Sequence, residues 1–250
     1  MDILSLHTPV EWLMILSATF IIGLGKAGLK GGDMLSVTLM AFVFGGKSST
    51  GIVLPLLCIA DIAAVAYYNR HAKWTHYKKL VPWMMIGILG GVVLGKDLDE
   101  AVFRKIMAVT ILLTIIIVLT MEYRKTDSLP DHPLFSVFTG LAAGFTTMIG
   151  NLAGAFANMY FLAMKVPMND FIGTAAWIFL TMNLFKLPFQ LFYWKNINFQ
   201  SLQMDLVLLP SLALGFWLGI RIIGRIREEQ FRKMVMILTL TGSLLMLFRR

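Results

Sequence analysis

The chain alternates long uncharged runs with short polar breaks. Uncharged or nearly uncharged stretches fall at 12–24, 34–46, 51–69, 80–95, 106–121, 134–149, 151–164, 171–194, 206–220 and 234–248. Asp61 interrupts the third and Lys186 the eighth. The run "IMAVTILLTIIIVLTM" (106–121) shows no alternation of polar and apolar positions, so it does not read as a barrel strand. Continuous apolar runs predict helices, because a helix satisfies its own backbone where no water is present.

Several runs are short for a crossing. A helix rises about 1.5 Å per residue, so some fourteen residues cover roughly two-thirds of a hydrocarbon core about 30 Å thick. The runs at 80–95, 106–121, 206–220 and 234–248 have flanking Lys or Arg that can snorkel to the interface. The first two runs meet instead in "GLGKAGLKGGD" (23–33), and the sixth and seventh meet at "IGNLAG" (149–154). Short segments interrupted by glycine at matching places in two halves are the sequence mark of a transporter's binding site. They predict two helical hairpins, or two pairs of strongly broken helices, one entering from each face with its tip near the midplane.

The halves themselves repeat. "LVPWMMIGILGGVVLGKDLDEAVFRKIMAVTILL" (80–113) lies over "LLPSLALGFWLGIRIIGRIREEQFRKMVMILTLT" (208–241) without a gap, matching Pro82 to Pro210, Gly87 to Gly215, Gly91 to Gly219 and the Phe-Arg-Lys triplet at 103–105 to that at 231–233. With gaps, Tyr67-Tyr68 fits Phe192-Tyr193 and Gly51 fits Gly173. The polar connection "EYRKTDSLPDHP" (122–133) separates an N-terminal repeat (1–122) from a C-terminal one (134–250), with 123–133 as linker. The basic residues assign the orientation. Connection 70–79 carries Arg70, Lys73, Lys78 and Lys79, whereas its mate near 195–204 has Lys195 alone; connection 221–233 is basic, whereas its mate 96–105 is balanced. Cytoplasmic connections are rich in Lys and Arg, so the basic member of each pair belongs inside. The expected fold is therefore an all-α polytopic membrane protein of two inverted-topology repeats. Each has a short Gly-broken helical pair plus three spanning helices, and both termini lie outside.

Composition agrees. The chain has 250 residues, 58% hydrophobic and 14% charged, with mean hydropathy +0.76. That is more apolar and less charged than a soluble core of this size accommodates. The net charge of +8 reads as basic cytoplasmic connections rather than as a nucleic-acid surface. The single cysteine, Cys58, leaves no internal disulfide or cysteine-based metal site. The start, "MDILSLHTPVEW", is acidic and lacks a small-residue cleavage pattern, which predicts a retained first segment. No HExxH, GxSxG, P-loop or Cys/His cluster occurs. This points away from an enzyme, and no cofactor or metal is implied. His7, His71, His76 and His132 all fall in expected polar connections, and the aromatics near 67–83 and 192–194 read as an interfacial belt.

The candidate site residues follow from the breaks. At a midplane tip, Lys26 and Lys30 would cost about 2.5–3.5 kcal/mol each on insertion scales unless paired, wet or neutralised by an anion. Gly31 and Gly32 let the backbone approach a ligand, and a helix starting near Asp33 adds positive potential. The same residues would also suit a basic surface turn. In the opposite tip, Asn151 and Asn158 offer neutral amides to an oxyanion, or bond between helices. Ser49, Thr50 and Thr174 could line the ligand path or cap helices. Asp61 and Lys186 each sit six residues before an aromatic pair, so they occupy equivalent positions. They are expected either to form an ion pair or to stand on either side of the pathway, Asp61 serving proton coupling or gating and Lys186 anion attraction. Asn183, one turn before Lys186, can point the same way, and Pro188 bends that helix.

The glycine-rich first tip, the "STGIVLPLL" to "LVPWMMIGILGGVVLG" progression, "FIGTAAW…NLFKLPF" and the doubled Phe-Arg-Lys triplet together resemble the sulfite exporter TauE/SafE family of transmembrane permeases. The resemblance covers nearly the whole chain. It implies a prokaryotic plasma-membrane carrier of small sulfur-containing anions such as sulfite, sulfoacetate or related organosulfonates, and of taurine, usually as an exporter. The partners then expected are the anion, protons as a coupling ion and the lipid bilayer, with homo-oligomerisation left open and nucleic acid excluded. A passive anion channel is the second reading. An intramembrane enzyme or an assembly scaffold is the third.

Overall fold

A computed structural model describes residues 7–29, 32–123, 133–222 and 228–248. Among them are ten α-helices and no strand: α1 (Pro9–Lys26), α2 (Gly32–Phe44), α3 (Gly46–Tyr68), α4 (Trp74–Lys96), α5 (Glu100–Tyr123), α6 (Pro133–Gly150), α7 (Gly154–Ala163), α8 (Met168–Pro188), α9 (Phe199–Ile222) and α10 (Glu228–Phe248). Six stretches are long and apolar enough to cross a bilayer, and they fall on α1, α3, α4, α5, α8 and α9. Their outer faces leave large apolar side chains such as Val93, Ile116, Leu206 and Phe192 exposed, as lipid requires and water does not. The chain is a multi-pass membrane protein.

Local chemistry explains where the helices start and stop. Thr8 and Glu11 form a reciprocal cap at the start of α1, the Thr8 N–H donating to Glu11 Oε2 at 2.8 Å, with Pro9 in the first helical position. Gly28, at φ 114°, turns the chain out of α1. Asn151, at φ 56°, does the same after α6, asparagine being among the few side-chain-bearing residues that enter the left-handed region readily. Pro188 closes α8, and one π-helical turn, Phe189–Tyr193, follows. The helices run further into the flanking polar sequence than the apolar runs do. Trp74–Lys79, expected as connection, forms the first turns of α4. The breaks also differ from expectation in their lengths. α1 and α6 have 18 residues each, and only the second arms are short, α2 with 13 and α7 with 10.

Packing joins the two halves of the sequence crosswise. α1 lies along α9, and α4 along α6. The repeated glycines make both contacts possible. A Cβ on Gly215 would strike the Phe20 carbonyl of α1, and one on Gly87 would strike the Leu141 carbonyl of α6. In return, Gly23 of α1 abuts the Leu212 carbonyl and Gly144 of α6 abuts the Met84 carbonyl. Small residues that let backbones touch are what holds helices together in lipid, where the hydrophobic effect between helices is lost. Because Leu212 and Met84 are repeat mates, Gly23 corresponds to Gly144, and Lys26 to Thr147.

α3 and α8 pack side by side in opposite directions. Gly51, near the start of α3, meets Asn196 just beyond α8, while Gly173, near the start of α8, meets Tyr68 and His71 at the end of α3. The matched glycines thus sit in reciprocal seams. The largest buried cluster runs from α2 and α4 through α5 and α6 to α7 and α8, and a second joins α1, α2, α3 and α9.

Candidate functional site

The two breaks converge on one internal cavity of about 150 Å³. Lys26 reaches it from the last turn of α1, Asp33 from the first turn of α2, Asp61 from α3, Asn151 from the second break, Asn158 from α7 and Asn183 from α8. Asp61 lies about two-thirds of the way along α3, and Lys186 in the last turn of the antiparallel α8. Asp33, in the first turn of α2, and Gly154, the first residue of α7, both border the cavity. The negative charge that two helix N-termini favour is supplied by Asp33 itself, whose carboxylate bonds the Met34 N–H and stands against Gly154.

Lys26 is not in a loop. It closes α1, and its ammonium forms an ion pair with Asp61 Oδ1 at 2.6 Å while lying over the Phe179 ring at 4.8 Å. Asp61 is fully buried at 0% exposure, and its second oxygen accepts from Asn183 Nδ2 at 2.6 Å. The expected alternative of an Asp61–Lys186 ion pair is thereby corrected. The antiparallel course of α3 and α8 offsets the two residues, and Lys26 reaches the carboxylate first. Asn183 correspondingly serves Asp61 rather than Lys186.

Lys186 is also 0% exposed. Its Nζ donates to Asn151 Oδ1 at 2.6 Å, to Thr147 Oγ1 at 3.0 Å and to the Thr147 carbonyl at 3.1 Å. Three acceptors match the three N–H groups of an ammonium. All three are neutral, and among the described residues no carboxylate lies within ion-pair reach of Lys186. Thr147 and Asn151 line the cavity, so this charge stands directly behind its wall.

Other sequence candidates lie elsewhere. Ser49 donates to the Gly46 carbonyl. Thr50 accepts from Asn196 Nδ2 at 3.1 Å and from Gln190 Nε2 at 3.3 Å. Thr174 accepts from the Lys73 N–H at 2.8 Å. None of the three lines the cavity. Thr50 and Thr174 hold the two α3–α8 seams, whereas Ser49 bonds within α3. Gly32 packs against Ile21 and does not line it either. Lys30 and Gly31 lie outside the described residues, as does His132. His76 is a helix residue, its Nδ1 3.0 Å from the Tyr160 hydroxyl, rather than part of a solvated connection. Trp194 is buried and donates to the Val92 carbonyl, so it is no part of an interfacial belt.

Sequence reasoning did not assign Thr147, Asp33, Tyr68 or Phe179 to the site. Thr147 corresponds to Lys26 only through the packing of Gly23 and Gly144. Tyr68, whose hydroxyl donates to the Ala27 carbonyl at 2.7 Å and ties the first break to α3, reads in sequence as an interfacial aromatic and carries no other signal.

A multi-pass helical protein with two helix breaks meeting at a cavity that holds a Lys–Asp ion pair has the form of a membrane transporter. The particular family is shown directly. Residues 14–246 match the model for the sulfite exporter TauE/SafE, and the chain belongs to that family. No curated protein and no solved structure matches the chain.

Proposed function

We propose that the chain is a secondary carrier that exports small sulfur-containing anions, such as sulfite, sulfoacetate or other organosulfonates, across a prokaryotic plasma membrane by alternating access between its two halves. One observation carries the reading: the Lys186 ammonium, fully buried and bonded only to three neutral oxygens, all of which belong to the two cavity-lining residues Thr147 and Asn151. A buried charge without a counter-ion is costly in a bilayer, and a small anion in the cavity offsets that cost. The side-chain amides of Asn151 and Asn158 supply N–H donors of the kind that a sulfite or sulfonate oxygen accepts.

The antiparallel α3 and α8 and the crosswise glycine contacts support an inverted repeat, the usual basis of alternating access. The basic connection at 70–79 places its face inside by the charge rule. The test is flux into proteoliposomes of sulfite, sulfoacetate, taurine and thiosulfate. Saturable transport of at least one, with counterflow, supports a carrier. Transport that does not saturate and shows no counterflow makes it a channel, and no flux of any of the four rejects the reading.

A further inference from the structure

We infer that Asp61 is a proton-operated lock on Lys26, so that each anion loaded into the cavity brings one proton with it. The inference rests on the anion-carrier reading above and adds its coupling. Lys26 is the one cation among the described residues that both lines the cavity and is held by a carboxylate. While Asp61 is ionised, its oxygen occupies the ammonium at 2.6 Å, and an incoming anion meets a pair with no net charge. Protonating Asp61 removes that partner; Asp33, the other carboxylate at the cavity, feels the charge of Lys26 but is outside ion-pair distance, so the freed ammonium has room for an anion. An anion drawn to Lys26 favours the proton on Asp61 in return. The two affinities are linked by the same factor in both directions.

The surroundings leave Lys26 as the dominant charge on Asp61. Asn183 and the more distant Lys186 face it from α8, Asp33 from α2 across the cavity, and Cys58 lies three residues earlier on α3. α6 brings the neutral Thr147 and Asn151. On α5, Glu100 and Arg104 pack at the first turn of α3, far from Asp61, and Asp205 of α9 makes no electrostatic contact with it. Asn183 is already placed to bond a neutral carboxyl, so protonation needs no rearrangement on that side.

The balance is simple. One proton moves onto an Asp61 oxygen, the Lys26–Asp61 ion pair opens, and a Lys26–anion pair forms. Release reverses all three, and for a monoanion no net charge crosses with the loaded site.

The test is the pH dependence of sulfoacetate binding to the purified full chain. Both acid groups of this ligand stay ionised near neutral pH, so any proton taken up belongs to the protein. In the wild type, affinity should fall about tenfold per pH unit, the slope of one linked proton. It should be flat in Asp61→Asn, which keeps an oxygen for Lys26 and the size of the side chain. In proteoliposomes, an imposed pH gradient should drive wild-type accumulation and leave Asp61→Asn merely equilibrating. A flat wild-type profile, or a slope retained in Asp61→Asn, overturns the lock while the carrier reading stands. Failure to bind or move any of the sulfur anions overturns both.

Discussion

Replacing Lys186 by Met tests the anion site most directly. The substitution keeps an unbranched side chain of similar length and deletes only the charged head. Its effect on a bound anion can be scaled from the structure. Lys186 Nζ lies 2.6 Å from Asn151 Oδ1, and an anion accepting from the amide of the same residue would stand about 6 Å from the ammonium. At an effective dielectric of about 20, that separation gives about 3 kcal/mol, roughly a hundredfold in affinity. Stability should move much less. The Thr147 carbonyl keeps the Asn151 N–H at 2.9 Å, which leaves only Thr147 Oγ1 and Asn151 Oδ1 without the lysine. Unpaired buried oxygens cost about 1–3 kcal/mol each, but Asn151 borders the cavity and the desolvation of an ammonium is relieved at the same time. The assay is anion binding by calorimetry beside a thermal melt of the same preparation. A folded Lys186→Met that binds sulfite and sulfoacetate like the wild type refutes the site.

Other substitutions separate packing from transport. Gly87→Val and Gly215→Val should each lower stability by about 1–3 kcal/mol or more, since each drives a side chain into a backbone carbonyl of the neighbouring helix; a thermal melt showing either one neutral would contradict the crosswise contacts. Thr50→Val should reduce stability, because Gln190 Nε2 loses its acceptor and Asn196 Nδ2 keeps only the Lys47 carbonyl, yet leave anion affinity unchanged; a large affinity loss would return Thr50 to the site. Lys73→Ala removes an ion pair with Asp170 at 3.4 Å that is more than half exposed on the lysine side. It should change stability by less than about 1 kcal/mol, measured by the same melt. Tyr68→Phe frees the Ala27 carbonyl from its hydroxyl and should speed hydrogen exchange at residues 25–29 without altering the rest of α1.

The sequence by itself determined the solvent, the helices and the places where they break. Apolar runs without alternation can satisfy their backbone in lipid only as helices, and the glycines of "GLGKAG" and the "GN" of "IGNLAG" mark turns that no β-branched or bulky residue would favour. The repeat at 80–113 and 208–241 was legible for the same reason: Gly87 and Gly215 answer to one steric demand, the approach of another helix's backbone, and Gly91 and Gly219 to the close approach of Met148 and Ala27. Only the tertiary structure decided which charge meets which. Asp61 and Lys186 look alike along the chain, as single charges at equivalent positions, and sequence offers no means of choosing their partners. The antiparallel α3 and α8 place them at different depths. Asp61 then meets Lys26 and Lys186 meets Thr147 and Asn151. Ser49, Thr50 and Thr174 carry the same hydroxyls as Thr147, and nothing local separates a seam from a cavity wall. Side-chain chemistry is local and can be read along one chain, but a partner across 35 or 122 residues is fixed only when the helices pack.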